Sequence, residues 1–359
     1  MDADAILAVQ APDPSRGVTS VVDAAPALFT WDYTKGERPA LNKLYEKAKG
    51  AQWNGETDLP WATDVDPEQL AMFLVEMGRP MRESLDLSRT PVARWTDREW
   101  ITFGVESQRW MLSQFLHGEQ GALVCTAKIV ETVPWIDAKY YAATQVMDEA
   151  RHVEVFARYL DDKLGGGYHV NPHLWGLLED IVADSRWDMT YLGMQIMVEG
   201  LALAAFGLMH AVTQEPLLKQ LLRYVMADEA RHVAFGVLAL KEVYSGLSAG
   251  EIRERQEFAY EAAVRMRDRL LQQEVWERMG VDAREALAFT AGDPGRLVFQ
   301  QMLFGKIVPN LKKLGLLDAG AAPGQDSWLR QRFGELGVLV FEDATDTSED
   351  YDSVAIETG

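Results

Sequence analysis

Along most of this chain, apolar residues recur with the spacing of a helix face rather than the two-residue alternation of a strand, and the longest such stretches lie in its middle. Four long helices are predicted there, over about 96–131, 135–163, 173–213 and 215–245. The first stops before Pro134, and the second runs into Gly165, Gly166 and Gly167. Upstream, 41–52 reads as a short amphipathic helix, and Asp66 followed by Pro67 reads as the cap and first position of another. Two further helices are predicted over about 249–276 and 295–314, and strand signals are nearly absent. The fold class is therefore all-α: a four-helix bundle with additional flanking helices. At 359 residues the chain can bury one large core, so a single domain is expected over 26–340. Residues 1–25 read as a flexible arm, and 341–359 as an acidic flexible tail.

Within that helical frame one hexapeptide occurs twice. DEARHV spans 148–153 and again 228–233, and each copy has a glutamate thirty residues upstream of its own. Glu119 with Glu199, Glu149 with Glu229 and His152 with His232 thus share one offset of 80 residues. Residues three apart on a helix lie on the same face, so Glu149 and His152 can aim inward together, as can Glu229 and His232. A thirty-residue span fits one helix end, a turn and a return to the same depth on an antiparallel neighbour. Four carboxylates balance two divalent cations, and two neutral imidazoles complete a plausible ligand set. Glu199 is the only acidic residue between Asp188 and Glu215, within LGMQIMVEGLALAAFGLM, and Glu119 is the only one between Glu106 and Glu131. A carboxylate in such surroundings is costly without a compensating cation.

The paired E…ExxH pattern resembles the ferritin-like di-iron carboxylate superfamily, and its expanded DExRH form is most similar to the oxygenase and desaturase branches. The resemblance covers about 95–244 and is far more specific for the site than for the substrate. It implies a ferritin-like bundle, two iron ions or a manganese–iron pair bound by Glu119, Glu149, His152, Glu199, Glu229 and His232, and O2 as co-substrate. It further implies that Asp148 and Asp228 orient the metal-bound imidazoles, each serving the histidine of the opposite motif, with Arg151 and Arg231 neutralising them. The expected reaction is hydroxylation, N-oxygenation or desaturation of a small apolar or aromatic molecule. Its pocket is expected to be walled by Phe115, Leu123, Phe156, Leu203 and Phe206. Alternatives are a ferroxidase or iron-handling protein, and a manganese–iron oxidase with a bound lipid.

Departures from individual branches narrow the list. Where the small subunit of ribonucleotide reductase carries its radical tyrosine, this chain has Phe156. Ala202 and Leu203 stand where monooxygenases and desaturases carry a threonine, and Val225 stands where arylamine N-oxygenases add a seventh ligand histidine. Cys125 is the only cysteine, which removes a rubredoxin module, a disulfide framework and iron–sulfur ligation, and it suits a reducing cytoplasm. His117, His169, His173 and His210 lack ligand spacing.

Charge and composition then limit the partners. The net charge of −20 makes nucleic acid and anionic membranes poor partners, even after the metal-site carboxylates and the tail are set aside. The cluster Arg253, Arg255, Arg265, Arg267 and Arg269 reads as a solvated helix face. No leader peptide is read at the start, and no membrane span is expected because Glu199 interrupts the longest apolar run. With no flavin or nicotinamide fingerprint, electrons are expected from an external reductase or ferredoxin, or from the organic substrate itself. A homodimer is left open.

Overall fold

The computed structural model describes residues 3–8 and 27–344, and all regular structure among them is helical. Most of 1–25 and of the acidic tail lies outside the described residues. The part of the arm that is described forms α1 (Ala3–Leu7), whose Ile6 packs against Leu271 and Leu287.

After α2 (Pro39–Gly50) and α3 (Pro67–Ser84) come the four segments of the bundle. These are α4 (Asp97–Thr132), α5 (Ile136–Leu164), a composite third segment, and α9 (Pro216–Tyr244). The third is preceded by α6 (Pro172–Ala183) and consists of α7 (Trp187–Tyr191), a π-helical stretch over Leu192–Val198, and α8 (Glu199–Val212). α4 lies along α5 and α8 along α9, with α5 also against α9. The boundaries follow local chemistry. Asp66 accepts the Glu68 N–H at 2.9 Å, Thr96 and Glu99 form a capping box, and Gly165 ends α5 at φ 71°, a left-handed value that glycine adopts without strain.

Three expectations need correction. The helix expected over 173–213 is two, because extended backbone at Asp184 and Arg186 interrupts it. The Asp184 carboxylate accepts the Arg186 N–H at 2.8 Å, a local turn that competes with the helical ladder. The helix expected over 249–276 ends as α10 (Ala249–Arg269), and Gln272 takes φ 52° before α11 (Gln273–Arg278). The helix expected over 295–314 is likewise two, α13 (Pro294–Phe304) and α14 (Val308–Lys313), preceded by an unanticipated α12 (Ala283–Ala291). α15 (Trp328–Glu335) packs on α10.

Trp187–Val212 is long and apolar enough to cross a membrane by length and composition, despite Glu199. Its most apolar window is 78% buried inside the bundle, which accounts for its composition.

Candidate metal centre

Each bundle segment delivers its part of the sextet to one depth. α4 supplies Glu119, α5 supplies Glu149 and His152, α8 opens on Glu199, and α9 supplies Glu229 and His232. All six are buried, Glu119 being the most exposed at 5%. Glu199 follows directly on the π-helical stretch, a distortion that recurs at functional sites.

The two imidazoles face the same pair of glutamates. His152 Nδ1 lies 3.2 Å from Glu119 Oε2, 3.4 Å from Glu149 Oε2 and 3.1 Å from Glu229 Oε1. His232 Nδ1 lies 3.1 Å from Glu149 Oε1 and 3.5 Å from Glu229 Oε2. Glu149 and Glu229 therefore each turn one oxygen toward one histidine and the second oxygen toward the other. Ligand atoms of Glu119, Glu149, His152 and Glu229 lie within 4.8 Å of one another, as do those of Glu149, Glu199 and His232.

Several of these atoms have no partner. Glu149 Oε2, Glu199 Oε2, both Glu229 oxygens and His232 Nδ1 are buried without a hydrogen bond, since the close approaches lack hydrogen-bond geometry. Buried, unsatisfied carboxylate oxygens are costly, and two divalent cations would satisfy all of them. The titration pattern has the same origin. Burial, reinforced by the charge of Glu229, pushes Glu119 and Glu199 well above the usual carboxylate range. Burial opposes protonation of His152 and His232, yet Glu119 for the first and Glu149 for the second hold both well above the usual imidazole value. Glu149 goes the other way: against burial, His232 and His152 hold it low. Protons and cations compete for this donor set.

The far side of each imidazole is held by an aspartate of the opposite motif. His152 Nε2 lies 3.1 Å from Asp228 Oδ2, and His232 Nε2 lies 3.4 Å from Asp148 Oδ2. Arg151 reaches Asp148 at 2.5 Å and Asp228 at 3.0 Å, while Arg231 pairs with Asp228. Three supports had no signal in the repeat. Trp53 Nε1 donates to Asp228 at 2.8 Å, Gln52 Nε2 donates to Asp148 at 3.0 Å, and the Arg151 guanidinium lies over the Trp53 ring. Gln145 Nε2 donates to Glu149 at 3.0 Å and Glu199 at 2.8 Å. Gln145 sits one turn before Glu149 and could have been found from that spacing; Gln52 and Trp53 follow α2 and could not.

A family model described as p-aminobenzoate N-oxygenase AurF matches residues 127–315, more than half of the chain. The chain belongs to this family. Five residues of the sextet fall inside the match and Glu119 lies just before it. In this AurF-family chain the clustered glutamates and histidines form two groups, each able to hold a metal ion. Among solved structures, an R2-like ligand-binding oxidase with an anaerobically reconstituted Mn/Fe cofactor is 20% identical at a TM-score of 0.51, covering 78% of this chain and 94% of its own. The same type of oxidase after photoconversion is 18% identical at 0.49, with the same coverage. At 20% identity the first likeness is one of fold alone. No curated protein matches the chain.

This AurF-family chain departs from a seven-ligand site at Val225, which is fully buried one turn before Glu229 and offers no ligand atom. His117 meets the backbone carbonyl of Tyr168 at 2.9 Å instead of the centre. Beside the sextet lies a cavity of about 20 Å³, room for one water. Glu119, Glu199 and Glu229 form one side of it, with Phe115, Ala122, Val198 and Ala202 around them. Of the residues expected to wall the pocket, only Phe115 does. Phe156 and Phe206 pack behind it, with the Phe206 ring 4.6 Å and the Phe156 ring 6.2 Å from that of Phe115. Leu203 is buried in the core, and Leu123 is half-buried away from the cavity. Closeness in sequence to a ligand placed these side chains on neighbouring faces of their helices rather than on the one facing the cavity.

Proposed function

We propose that this AurF-family protein oxidises a small organic molecule with O2 at a centre held by Glu119, Glu149, His152, Glu199, Glu229 and His232. The observation that carries this reading is the set of orphaned carboxylate and imidazole atoms at the centre, those of Glu199 and Glu229 bordering a cavity. Two metal ions, when bound, supply the site at which O2 is activated. In this reading Glu149 and Glu229 would serve both metal positions, with Glu119 and His152 for one and Glu199 and His232 for the other. Asp228 and Asp148 hold the imidazole N–H groups, fixing which ring nitrogen is free to bind. Phe115, Phe156 and Phe206 exclude water behind the cavity. The substrate approaches from the Glu119 and Glu199 side, and electrons come from an external donor or from the substrate.

N-oxygenation of an arylamine is the reading suggested by the family's name. Val225 favours a second, a six-ligand oxidase that holds an organic ligand beside the centre. Protein loaded with iron, or with manganese and iron together, should bind two metals per chain and take up O2 when reduced. With p-aminobenzoate added, N-oxygenated product supports the first reading, and O2 uptake without it supports the second. Failure to take up O2 in every metal form would defeat both.

A further inference from the structure

The arginines expected to line a solvated face of α10 are not all solvated. Arg255 is buried and paired with Asp188 at 2.9 Å, and Arg269 is buried at 4% exposure. Arg151, Arg231 and Arg255 each face an aspartate, whereas the Arg269 side chain makes no hydrogen bond and no ion pair among the described residues, and its Nε is orphaned. Burial pulls its guanidinium down to about 10, which leaves it charged at neutral pH.

Arg269 lines the cavity beside the sextet, together with Glu119, Glu199 and Glu229. At about 20 Å³ that cavity admits one water-sized species. With two divalent cations bound, the four glutamates are balanced, and Asp148 and Asp228 are balanced by Arg151 and Arg231. One positive charge is left over at the cavity. Its other neighbours there do not answer it. Gln114 is engaged, its Nε2 donating to the His169 carbonyl at 2.9 Å and its Oε1 accepting from the Asn171 N–H at 2.7 Å. Phe115, Ala122, Val198 and Ala202 offer only apolar side chains. A buried charge is costly unless an opposite charge joins it. The wall is half-exposed at Gly118 and Ala202, so a small ion can reach it.

We infer that this cavity binds one water-sized anion beside the metal centre, with Arg269 as its hydrogen-bond donor. Size and charge select the ligand together: the space takes a single heavy atom, and the leftover guanidinium takes a single negative charge. Hydroxide and fluoride both meet these conditions. The same donor serves the oxidation, because reduction of O2 places negative charge on oxygen and a preorganised donor stabilises that charge where it develops. Among the described residues, Arg269 is the one side-chain donor lining the cavity that has no partner of its own. The inference rests on the functional reading above and adds to it a charged catalytic residue that is not a metal ligand.

The test titrates metal-loaded protein with sodium fluoride in a calorimeter, at fixed pH and ionic strength. The wild type should bind one fluoride per chain at millimolar concentration or below. Arg269→Met and Arg269→Gln should bind it at least about ten-fold more weakly, the loss expected for a charge-assisted hydrogen bond, and should take up O2 more slowly when reduced. Arg253→Met removes an equal charge from an exposed position of the same helix and should leave fluoride affinity unchanged. Wild-type fluoride affinity in either Arg269 variant that still holds two metals would overturn the inference, as would an equal loss in Arg253→Met, or no fluoride binding by wild type holding both metals. Metal content and O2 uptake of the wild type are read separately, so a defect there counts against the functional reading and not against Arg269.

Discussion

The two sides of the metal centre are built on opposite terms. On the histidine side every charge has a partner: Asp228 alone receives His152, Trp53, Arg151 and Arg231, and Asp148 receives His232, Gln52 and Arg151. On the cavity side Glu199, Glu229 and Arg269 keep unpartnered polar atoms within apolar walls. Satisfied buried networks fix geometry, whereas orphaned buried groups mark where something else must bind. The first side fits holding metal ions still, and the second fits receiving cations and a ligand.

The largest effect should come from the residues that span both metal positions. Glu229→Ala should lose at least one metal per chain, because both of its oxygens are orphaned without cations. Elemental analysis still finding two would break the assignment of Glu229. On the satisfied side the effect should be smaller and unequal. Asp228→Asn should weaken metal affinity by about 10 to 100-fold, as losses of imidazole support commonly do. Asp148→Asn should do less, because its contact with His232 is the longer, 3.4 Å against 3.1 Å. Chelator competition would measure both, and equal wild-type affinity in the two variants would remove the aspartates from the site.

The buried donor set also predicts opposite pH trends for the stability of the metal-free protein and for metal affinity. Glu119, Glu199, His152 and His232 are all raised in the metal-free fold. Their contribution to metal-free stability is fully present below their unfolded values and is lost as pH rises through the raised ones. Metal ions must displace the same protons, so metal affinity should rise with pH over that interval. Melting of the metal-free protein and metal titration at several pH values would check the pair; parallel trends would contradict it. The smallest expected signal is none at all. Reduced, metal-loaded protein exposed to O2 should show no persistent tyrosyl radical by electron paramagnetic resonance, since Phe156 occupies the position one turn after His152.

The metal ligands and the aspartates behind them were legible in the sequence, whereas the other supports of the aspartates and most of the cavity wall were not. Four of the six ligands and both aspartates lie in a repeated hexapeptide, where the three-residue spacing fixes direction within one helix turn, and Glu119 and Glu199 stand at one fixed distance upstream of it. Tertiary packing decides the rest. Trp53 and Gln52 reach the site from the end of α2, which no local pattern records. Arg269 reads as one charge in a basic, solvated run until α10 is docked on the bundle. On α8, Ala202, three residues after Glu199, lines the cavity, whereas Leu203 is buried in the core.

The most direct test of the dimetal centre is a crystal structure of the metal-loaded protein with the metals identified by anomalous scattering. Two metal ions about 3 to 4 Å apart are expected, the spacing of two-metal sites, with Glu149 and Glu229 bridging, Glu119 and His152 on one ion, and Glu199 and His232 on the other. A single ion, or ions ligated without both bridging glutamates, would contradict it.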